Sequence, residues 1–476
     1  MIIYAKQKEV FNVFIGRNEE LASLNERYNS EKYECAIIWG RRRIGKTELI
    51  TEFVRDKKHI YFTAVEGTEQ RNLSILSKAV FSGLYGEIRA NAPVFQSFID
   101  CLNYIYENAK EAKEEKVVFV IDEYPYFAGS EKSISSILQQ YIDHKFQHIN
   151  FMIILCGSSM SFMENQVMGN KSPLYGRRTC QYKLEPFDFK NSALFHENFN
   201  KQEQAVIYGI TGGIPKYLLQ IDDKLDLKTN IIKNFFSPDS LLFEEPNNLL
   251  KQELREPAVY NSIITAIATG SSKLNEIATK SHITTSSCSV YLTSLLSLNI
   301  VKKELPILSK PNARNTIYRL NDGMFRFWYK FVYDNISEIN MRQGAVIYDE
   351  IQDQISDFMG ETFEDICKQY LWQENIAGRL PFRFKDCGRW WGANPIEKAE
   401  QEIDLMAYAK TDKCLFAECK WTNEKIDSKI LDNLIKKASI FNYPDKYYML
   451  FSKSGFKEDI KKRANENIVL VEFNEM

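Results

Sequence analysis

The stretch Gly40-Arg41-Arg42-Arg43-Ile44-Gly45-Lys46-Thr47 reads G-x-x-x-x-G-K-T and decides the fold of the first part of this chain. It follows an apolar run, Cys35-Ala36-Ile37-Ile38-Trp39, and leads into a helix-favouring one, Glu48-Leu49-Ile50-Thr51-Glu52-Phe53. Strand, glycine-bearing loop and helix in that order make a phosphate cradle. The glycines let backbone N–H groups curl around an anion, and the helix N-terminus adds positive potential. In this arrangement the loop from Gly40 through Arg41, Arg42, Arg43, Ile44 and Gly45 wraps a nucleotide's phosphates, Lys46 reaches the terminal ones and the Thr47 hydroxyl holds magnesium.

At 476 residues and 44% hydrophobic content, the chain is long enough for about three domains, each with its own core. A formal charge of −2 excludes one overwhelming electrostatic partner but leaves local patches open. The N-terminal Met1-Ile2-Ile3-Tyr4-Ala5-Lys6-Gln7-Lys8 lacks the apolar core of a signal peptide, and residues 151–163 are too short and polar to span a bilayer. A cytoplasmic protein without membrane partners is expected. The nine cysteines form no C-x-x-C pair, which argues against a disulfide framework or a zinc site.

Apolar runs recur at 35–39, 60–65, 117–121 and 151–156 with amphipathic stretches between them, the pattern of a parallel sheet covered on both faces. The second of the site's parts lies on the third run. Val117-Val118-Phe119-Val120-Ile121-Asp122-Glu123 ends in two acids about 75 residues after the loop. Asp122 suits the magnesium side, and Glu123 suits the orientation and deprotonation of an attacking water. The fourth run ends in Cys156-Gly157-Ser158-Ser159, where Ser158 reads either as a γ-phosphate sensor or as an ordinary helix cap. Past it, Pro173-Leu174-Tyr175-Gly176-Arg177-Arg178 offers two guanidiniums, which read as phosphate-stabilising arginines or as solvated surface. If Arg177 or Arg178 acts in trans, the chain works as a homo-oligomer.

These motifs, with Phe14-Ile15-Gly16-Arg17-Asn18-Glu19-Glu20-Leu21 ahead of them and Gly212-Gly213-Ile214-Pro215 behind, resemble the archaeal-type ATPase family of the AAA-like and signal-transducing ATPases. The likeness extends through Phe243-Glu244-Glu245-Pro246, Phe325-Arg326-Phe327-Trp328-Tyr329 and Arg389-Trp390-Trp391-Gly392, nearly the whole chain. It implies that residues near Gly16 and Arg17 meet the adenine end of ATP and that the Gly-Gly-x-Pro turn belongs to a lid.

Glu244-Glu245-Pro246-Asn247-Asn248 carries turn residues and charges and reads as a linker. Beyond it, helical patterns at 258–268, 273–280 and 285–298 precede two strand-like runs at 300–305 and 316–320, the composition of a winged helix-turn-helix. Between Lys251 and Lys330 eleven basic residues face five acidic ones. With the 285–298 helix in a DNA groove, Lys302, Lys303 and Arg314 come near the backbone. That helix carries no Lys or Arg, and winged helices also dock proteins or serve as lids, so both readings stand.

In the last part, Glu402-Ile403-Asp404-Leu405 and Phe416-Ala417-Glu418-Cys419-Lys420 form D-x13-E-x-K. On adjacent hairpin strands Asp404 and Glu418 can share a hard cation, and period two puts Lys420 beside Glu418 to orient a metal-bound water. This resembles the PD-(D/E)xK restriction-endonuclease-like superfamily, with Glu364 at its helical acid and Ile403 in place of the proline. The expected architecture is therefore an α/β P-loop NTPase parallel sheet over residues 1–190, a helical lid over 191–243, a winged helix-turn-helix over 244–335 and a restriction-endonuclease-like α/β domain over 336–476. The expected function is an ATPase that uses ATP and Mg²⁺ to control DNA binding and Mg-dependent DNA cleavage. The alternatives are a nucleotide-controlled switch or DNA-binding regulator with a degenerate nuclease fold, and a defence effector that uses the ATPase as a sensor.

Overall fold

The computed structural model describes residues 14–86, 93–112, 115–310, 315–409 and 412–476; Arg314 and the stretch Met1 to Lys8 lie outside them. The chain divides into two compact units, Met1–Pro186 and Phe187–Met476.

The first unit is built on a five-stranded parallel sheet in the order β2-β3-β4-β1-β5. Its strands are β1 (Glu34–Trp39), β2 (His59–Thr63), β3 (Val117–Asp122), β4 (Phe151–Gly157) and β5 (Cys180–Lys183). Every residue of β1, β3 and β4 is buried, as continuous apolar runs covered on both faces require. Pairing of β1 with β4, and of β4 with β3, brings the ends of the loop-bearing and acid-bearing strands to the same edge of the sheet. The β5 strand was not legible as an apolar run because its residues alternate between half-buried and exposed positions.

The second unit begins with helices, including Lys201–Thr211, Leu227–Phe235 and Leu241–Glu253. The segment expected as a lid on the first sheet thus falls in this unit. The turn after Lys201–Thr211 requires glycine: Gly213 has φ 68°, and a Cβ there would lie 2.1 Å from the Phe187 carbonyl oxygen.

The expected linker at residues 244–248 is instead the middle of helix Leu241–Glu253, with Glu245 and Pro246 buried. Its hydrophilic composition misled because one of its charged groups is spent inside: the buried Glu245 accepts from the Tyr217 hydroxyl, and just ahead of it the Phe243 carbonyl accepts from Trp328 Nε1 at 2.8 Å. Tertiary packing overrides the local breaker signal of Pro246.

Helices Pro257–Ala268, Leu274–Lys280 and Thr285–Ser297 follow, then an antiparallel hairpin of β6 (Val301–Glu304) and β7 (Ile317–Leu320). A 34-residue helix, Gly344–Ala377, runs straight through Gly360 and leads to a second sheet. Its strands are β8 (Asp386–Asn394), β9 (Ala399–Tyr408), β10 (Lys413–Lys420), β11 (Asp445–Ser452) and β12 (Ile468–Glu472), in the order β12-β11-β10-β9-β8. The β8, β9 and β10 strands are antiparallel neighbours, whereas β10, β11 and β12 run parallel. The helix Ser428–Ala438 is the crossover between β10 and β11, since parallel neighbours need a long connection.

Candidate functional site

Two sites are built from the residues singled out above, one in each unit. In the first, β1 runs into the loop, and the helix Lys46–Val54 starts at Gly45, which has φ 86°. Gly40 is required by a close approach, because a Cβ there would lie 2.5 Å from the Leu184 carbonyl oxygen. Arg43 is also left-handed, at φ 72°, a backbone sequence that curls N–H groups into an anion nest. Lys46 Nζ donates to the Gly40 and Arg41 carbonyls at 2.9 and 3.0 Å. Burial holds this ammonium below the usual lysine pKa.

Thr47 Oγ1 donates to Asp122 Oδ2 at 3.1 Å. A hydroxyl beside a buried carboxylate is the oxygen pair that magnesium takes, so these residues fit the ion. The next residue, Glu123, sits at φ 53°, which costs about 1–2 kcal/mol for a residue with a Cβ. Such strain concentrates where a side chain must be aimed. Ser158 fixes that aim: its Oγ donates to the Glu123 carboxylate, with contacts of 3.1 and 2.9 Å to the two oxygens. Ser158 therefore meets the acid rather than capping a helix with its side chain, since the helix after it, Met160–Phe162, begins at Ser159.

Arg17, at φ 56° after Gly16 at φ 73°, donates to Glu20 at 3.2 Å, to the Ile44 carbonyl at 3.4 Å and to the Glu185 carbonyl. These bonds tie the segment ahead of the first helix, Asn18–Asn29, to the loop. Arg42 Nη2 donates to the Tyr126 hydroxyl at 2.8 Å. Arg177 grips Asp143 with two bonds, of 2.7 and 2.6 Å, and Arg178 donates to the Met168 carbonyl at 3.3 Å. Arg177 therefore has its fork already on a carboxylate, whereas Arg178 uses one of five N–H donors.

Sequence reasoning missed Tyr61 on β2, whose hydroxyl donates to Asp122 Oδ2 at 3.1 Å. No motif marks it; its role follows from the register that pairs β2 with β3.

In the second unit, Asp404 on β9 and Glu418 on β10 are both buried, at 6% exposure each. The register pairs Leu405 with Ala417, which puts the two acids side by side at the end of the ladder. The Cys419 N–H donates to Asp404 Oδ2 at 2.8 Å. Lys420 Nζ lies 2.7 Å from Glu418 and 3.9 Å from Asp404, and Lys437 donates to Glu418 at 3.1 Å.

Glu364, on the helix Gly344–Ala377, comes together with Asp404 and with Glu402, one oxygen of each lying within 4.8 Å of the others. Glu402 was missed although the signal was present, since period two on β9 puts it on the face of Asp404. Glu418 is not in this trio. Arg389, on β8, lies 3.3 Å from Glu364 and 2.9 Å from Glu402.

Three of the basic residues counted around the hairpin are spent inside the unit, while Lys251, Arg255, Lys273, Lys280, Lys303, Lys310 and Lys330 are exposed. Lys302 meets Glu304 at 3.0 Å and Glu361 at 3.5 Å, while Arg319 and Arg326 meet Glu361 at 2.9 and 3.3 Å. Burial alone would raise the Glu361 carboxyl, but Arg326, Arg319 and Lys302 hold it down at about 2. Lys302 is therefore committed to carboxylates rather than placed for a DNA backbone, whereas Lys303 is exposed. Exposed Thr285, Ser286, Ser289, Val290 and Thr293 line one side of helix Thr285–Ser297.

Burial, with the Glu418 charge beside it, pushes the Asp404 carboxyl up to about 6. Burial and the Asp404 charge push Glu364 up to about 9, with Arg319 pulling the other way. Both shifts leave protons on the folded chain that the unfolded chain has released, so stability falls as pH rises through each window. For Glu364 that window runs from 4.5 to about 9. The expected slope is at most about 1.4 kcal/mol per pH unit for one group. Urea unfolding at pH 6.5 and 8.5 checks this, and Glu364→Gln should flatten the slope; parallel pH profiles for the two proteins would contradict it.

Residues 14–221 match a family described as an ATPase domain predominantly from Archaea, and residues 328–431 match one described as archaeal and bacterial proteins of unknown function. Uncharacterized protein MJECL04 of Methanocaldococcus jannaschii is 31% identical over 468 residues, covering 97% of this chain and all of that protein. Uncharacterized ATP-binding protein PH0541 of Pyrococcus horikoshii is 22% identical, over 52% of this chain and 89% of its own length. Among solved structures, the Walker-type ATPase PABY2304 of Pyrococcus abyssi shares the fold at a TM-score of 0.52 and 18% identity, over 67% of this chain and 96% of that one. No helix among the described residues is long and apolar enough to cross a membrane. The β1–loop–helix core and a relative matched along nearly the whole chain lead to one assignment: the chain belongs to the archaeal-type ATPase family, with a P-loop ATPase domain followed by a domain of unknown function.

Proposed function

We propose that the chain hydrolyses ATP in its first unit and uses the nucleotide state to control DNA binding and metal-dependent DNA cleavage in its second. The observation that carries the reading is the convergence of the buried Lys46 and Asp122 with Thr47 and the Ser158-held Glu123 at one edge of a parallel sheet. Lys46 and the loop N–H groups would hold the phosphates, Thr47 and Asp122 the magnesium, and Glu123 would take the proton of the attacking water. When bound, magnesium supplies charge neutralisation on the phosphate oxygens. Tyr61 would keep the Asp122 carboxylate turned toward Thr47. The relative named as ATP-binding supports the nucleotide half.

For the second unit, the three helices and hairpin support a winged helix-turn-helix, with the hydroxyl-rich face of Thr285–Ser297 meeting DNA. Asp404 and Glu418 on adjacent strands, with Lys420 between them, support a PD-(D/E)xK nuclease centre in which Glu364 is the helical acid. The carboxylate set fits a hard divalent cation. A specific observation favours a second reading, a DNA-binding regulator with an inactive nuclease fold: Lys420 and Lys437 already neutralise Glu418, and Arg389 already pairs with Glu402 and occupies the side of Glu364.

The deciding experiment is DNA cleavage with Mg²⁺ or Mn²⁺ against EDTA, with ATP, ADP or no nucleotide, beside DNA binding over a salt series. Cation-dependent nicking that responds to nucleotide is the expected result; salt-sensitive binding without nicking selects the regulator. Light scattering with and without ATP tests whether Arg177 or Arg178 acts across a homo-oligomer.

A further inference from the structure

The least expected group at the second site is a cation. Arg389 sits where the β8–β9 register slips, between Gly388 and Trp390. A bulge of this kind re-aims a side chain, and here the guanidinium enters the carboxylate trio: Nε lies 3.3 Å from Glu364 and Nη2 lies 2.9 Å from Glu402. Its third nitrogen faces Glu304, the last residue of β6, at 3.7 Å. The backbone repeats the connection, since the Ile307 N–H donates to the Arg389 carbonyl at 2.8 Å. Ile307 is itself buried in the core of the second sheet with Ile403, Met406 and Phe416. One residue is thus gripped by the hairpin on one side and by two carboxylates of the candidate centre on the other.

We propose that Arg389 is a built-in counter-ion that holds Glu364 and Glu402 in place of a divalent cation, and that the β6 end of the hairpin keeps it there through Glu304 and Ile307. The inference rests on the reading of Asp404, Glu418 and Glu364 as a metal centre. A guanidinium stays charged at any working pH, so it competes with a dication continuously. Like charges at contact distance cannot all be held by one carboxylate trio. A cavity of about 250 Å³, lined by Arg389, Glu364, Glu304, Lys368 and Trp391 among others, leaves room for the guanidinium to swing aside. A ligand that pulls the hairpin away from β8 removes Glu304 and the Ile307 bond together, and so frees the carboxylates for the ion. The hairpin and the centre then read each other's state: DNA on one favours metal at the other, and the reverse.

The test measures Mn²⁺ binding to the full chain, without nucleotide, by electron paramagnetic resonance and titration calorimetry. Arg389→Gln is expected to tighten binding by about 10–100-fold, the range typical of changes beside a metal's ligands. Glu304→Gln, which leaves Arg389 in place but loosens its grip, should tighten binding by less. In the double variant the Glu304 effect should vanish. Adding Asp404→Asn to Arg389→Gln should abolish the gain. If Asp404→Asn abolishes Mn²⁺ binding but Arg389→Gln binds no more tightly than the parent, the centre stands and the counter-ion role is overturned. If Asp404→Asn leaves the tight binding intact, the ion lies elsewhere and the reading of the centre falls with it. Should Arg389→Gln fail to fold, an unchanged affinity in Glu304→Gln overturns the hairpin's control.

Discussion

Glu123→Gln is expected to bind ATP with unchanged affinity and to hydrolyse it about 10²–10⁴-fold more slowly, the usual worth of a positioned general base. The amide keeps the size of the side chain and can still accept from Ser158 Oγ, so the strained backbone at φ 53° has no reason to relax. What is lost is the carboxylate that takes the proton from water. Lys46→Ala should behave differently. Its ammonium is buried over the loop and bonds two loop carbonyls, so its removal costs both the charge facing the phosphates and two bonds that shape the cradle. Loss of nucleotide affinity together with a fall in rate of about 10²–10³-fold is expected, comparable with deleting one donor from a preorganised anion site. Phosphate release and fluorescent-nucleotide titration separate the two variants. Hydrolysis at the parent rate in Glu123→Gln would remove Glu123 from the mechanism.

Asp404→Ala and Lys420→Ala are expected to abolish Mg²⁺- or Mn²⁺-dependent DNA nicking while leaving ATP hydrolysis at the parent rate. Asp404 is the shared member of the site: it lies beside Glu418 on the neighbouring strand and completes the trio with Glu364 and Glu402. Removing it takes an oxygen from every cation position the carboxylates can form. Lys420 touches Glu418 at 2.7 Å, and its loss should lower the rate by about 10²–10⁴-fold if it orients the attacking water. Lys437 still neutralises Glu418 in that variant, so a general loss of fold is not expected, and circular dichroism checks it. Undiminished nicking in both variants would sink the nuclease half of the proposal. Nicking that disappears together with ATP hydrolysis would instead point to loss of structure.

The parts of both sites that were legible in advance are those carried by contiguous residues or by strict periodicity. The loop from Gly40 to Thr47 needs only its own backbone and the flanking strand and helix, so eight residues announce it. Asp122 and Glu123 end an apolar run, and Glu418 and Lys420 share a face two residues apart on β10. Where polarity was taken at face value, it misled. Glu244 to Asn248 looked like a linker, yet it lies within a helix that buries Glu245 and Pro246, with Glu245 accepting from the Tyr217 hydroxyl. The positive balance around the hairpin is in part taken up inside, since Glu361 meets Arg319, Arg326 and Lys302.

By itself the amino-acid sequence determined the phosphate-binding strand, loop and helix, the alternation that makes a parallel sheet, and the family to which the chain belongs. Only the tertiary structure decided which side chains complete each site: Tyr61 on Asp122, Ser158 on Glu123, Asp143 on Arg177, and Glu402 with Arg389 beside Glu364. The physical reason is range. Local conformation and period-two or helical facing are set by neighbours a few residues away, whereas these pairs depend on strand order, register and a single β8–β9 slip that bring residues together from distant parts of the chain.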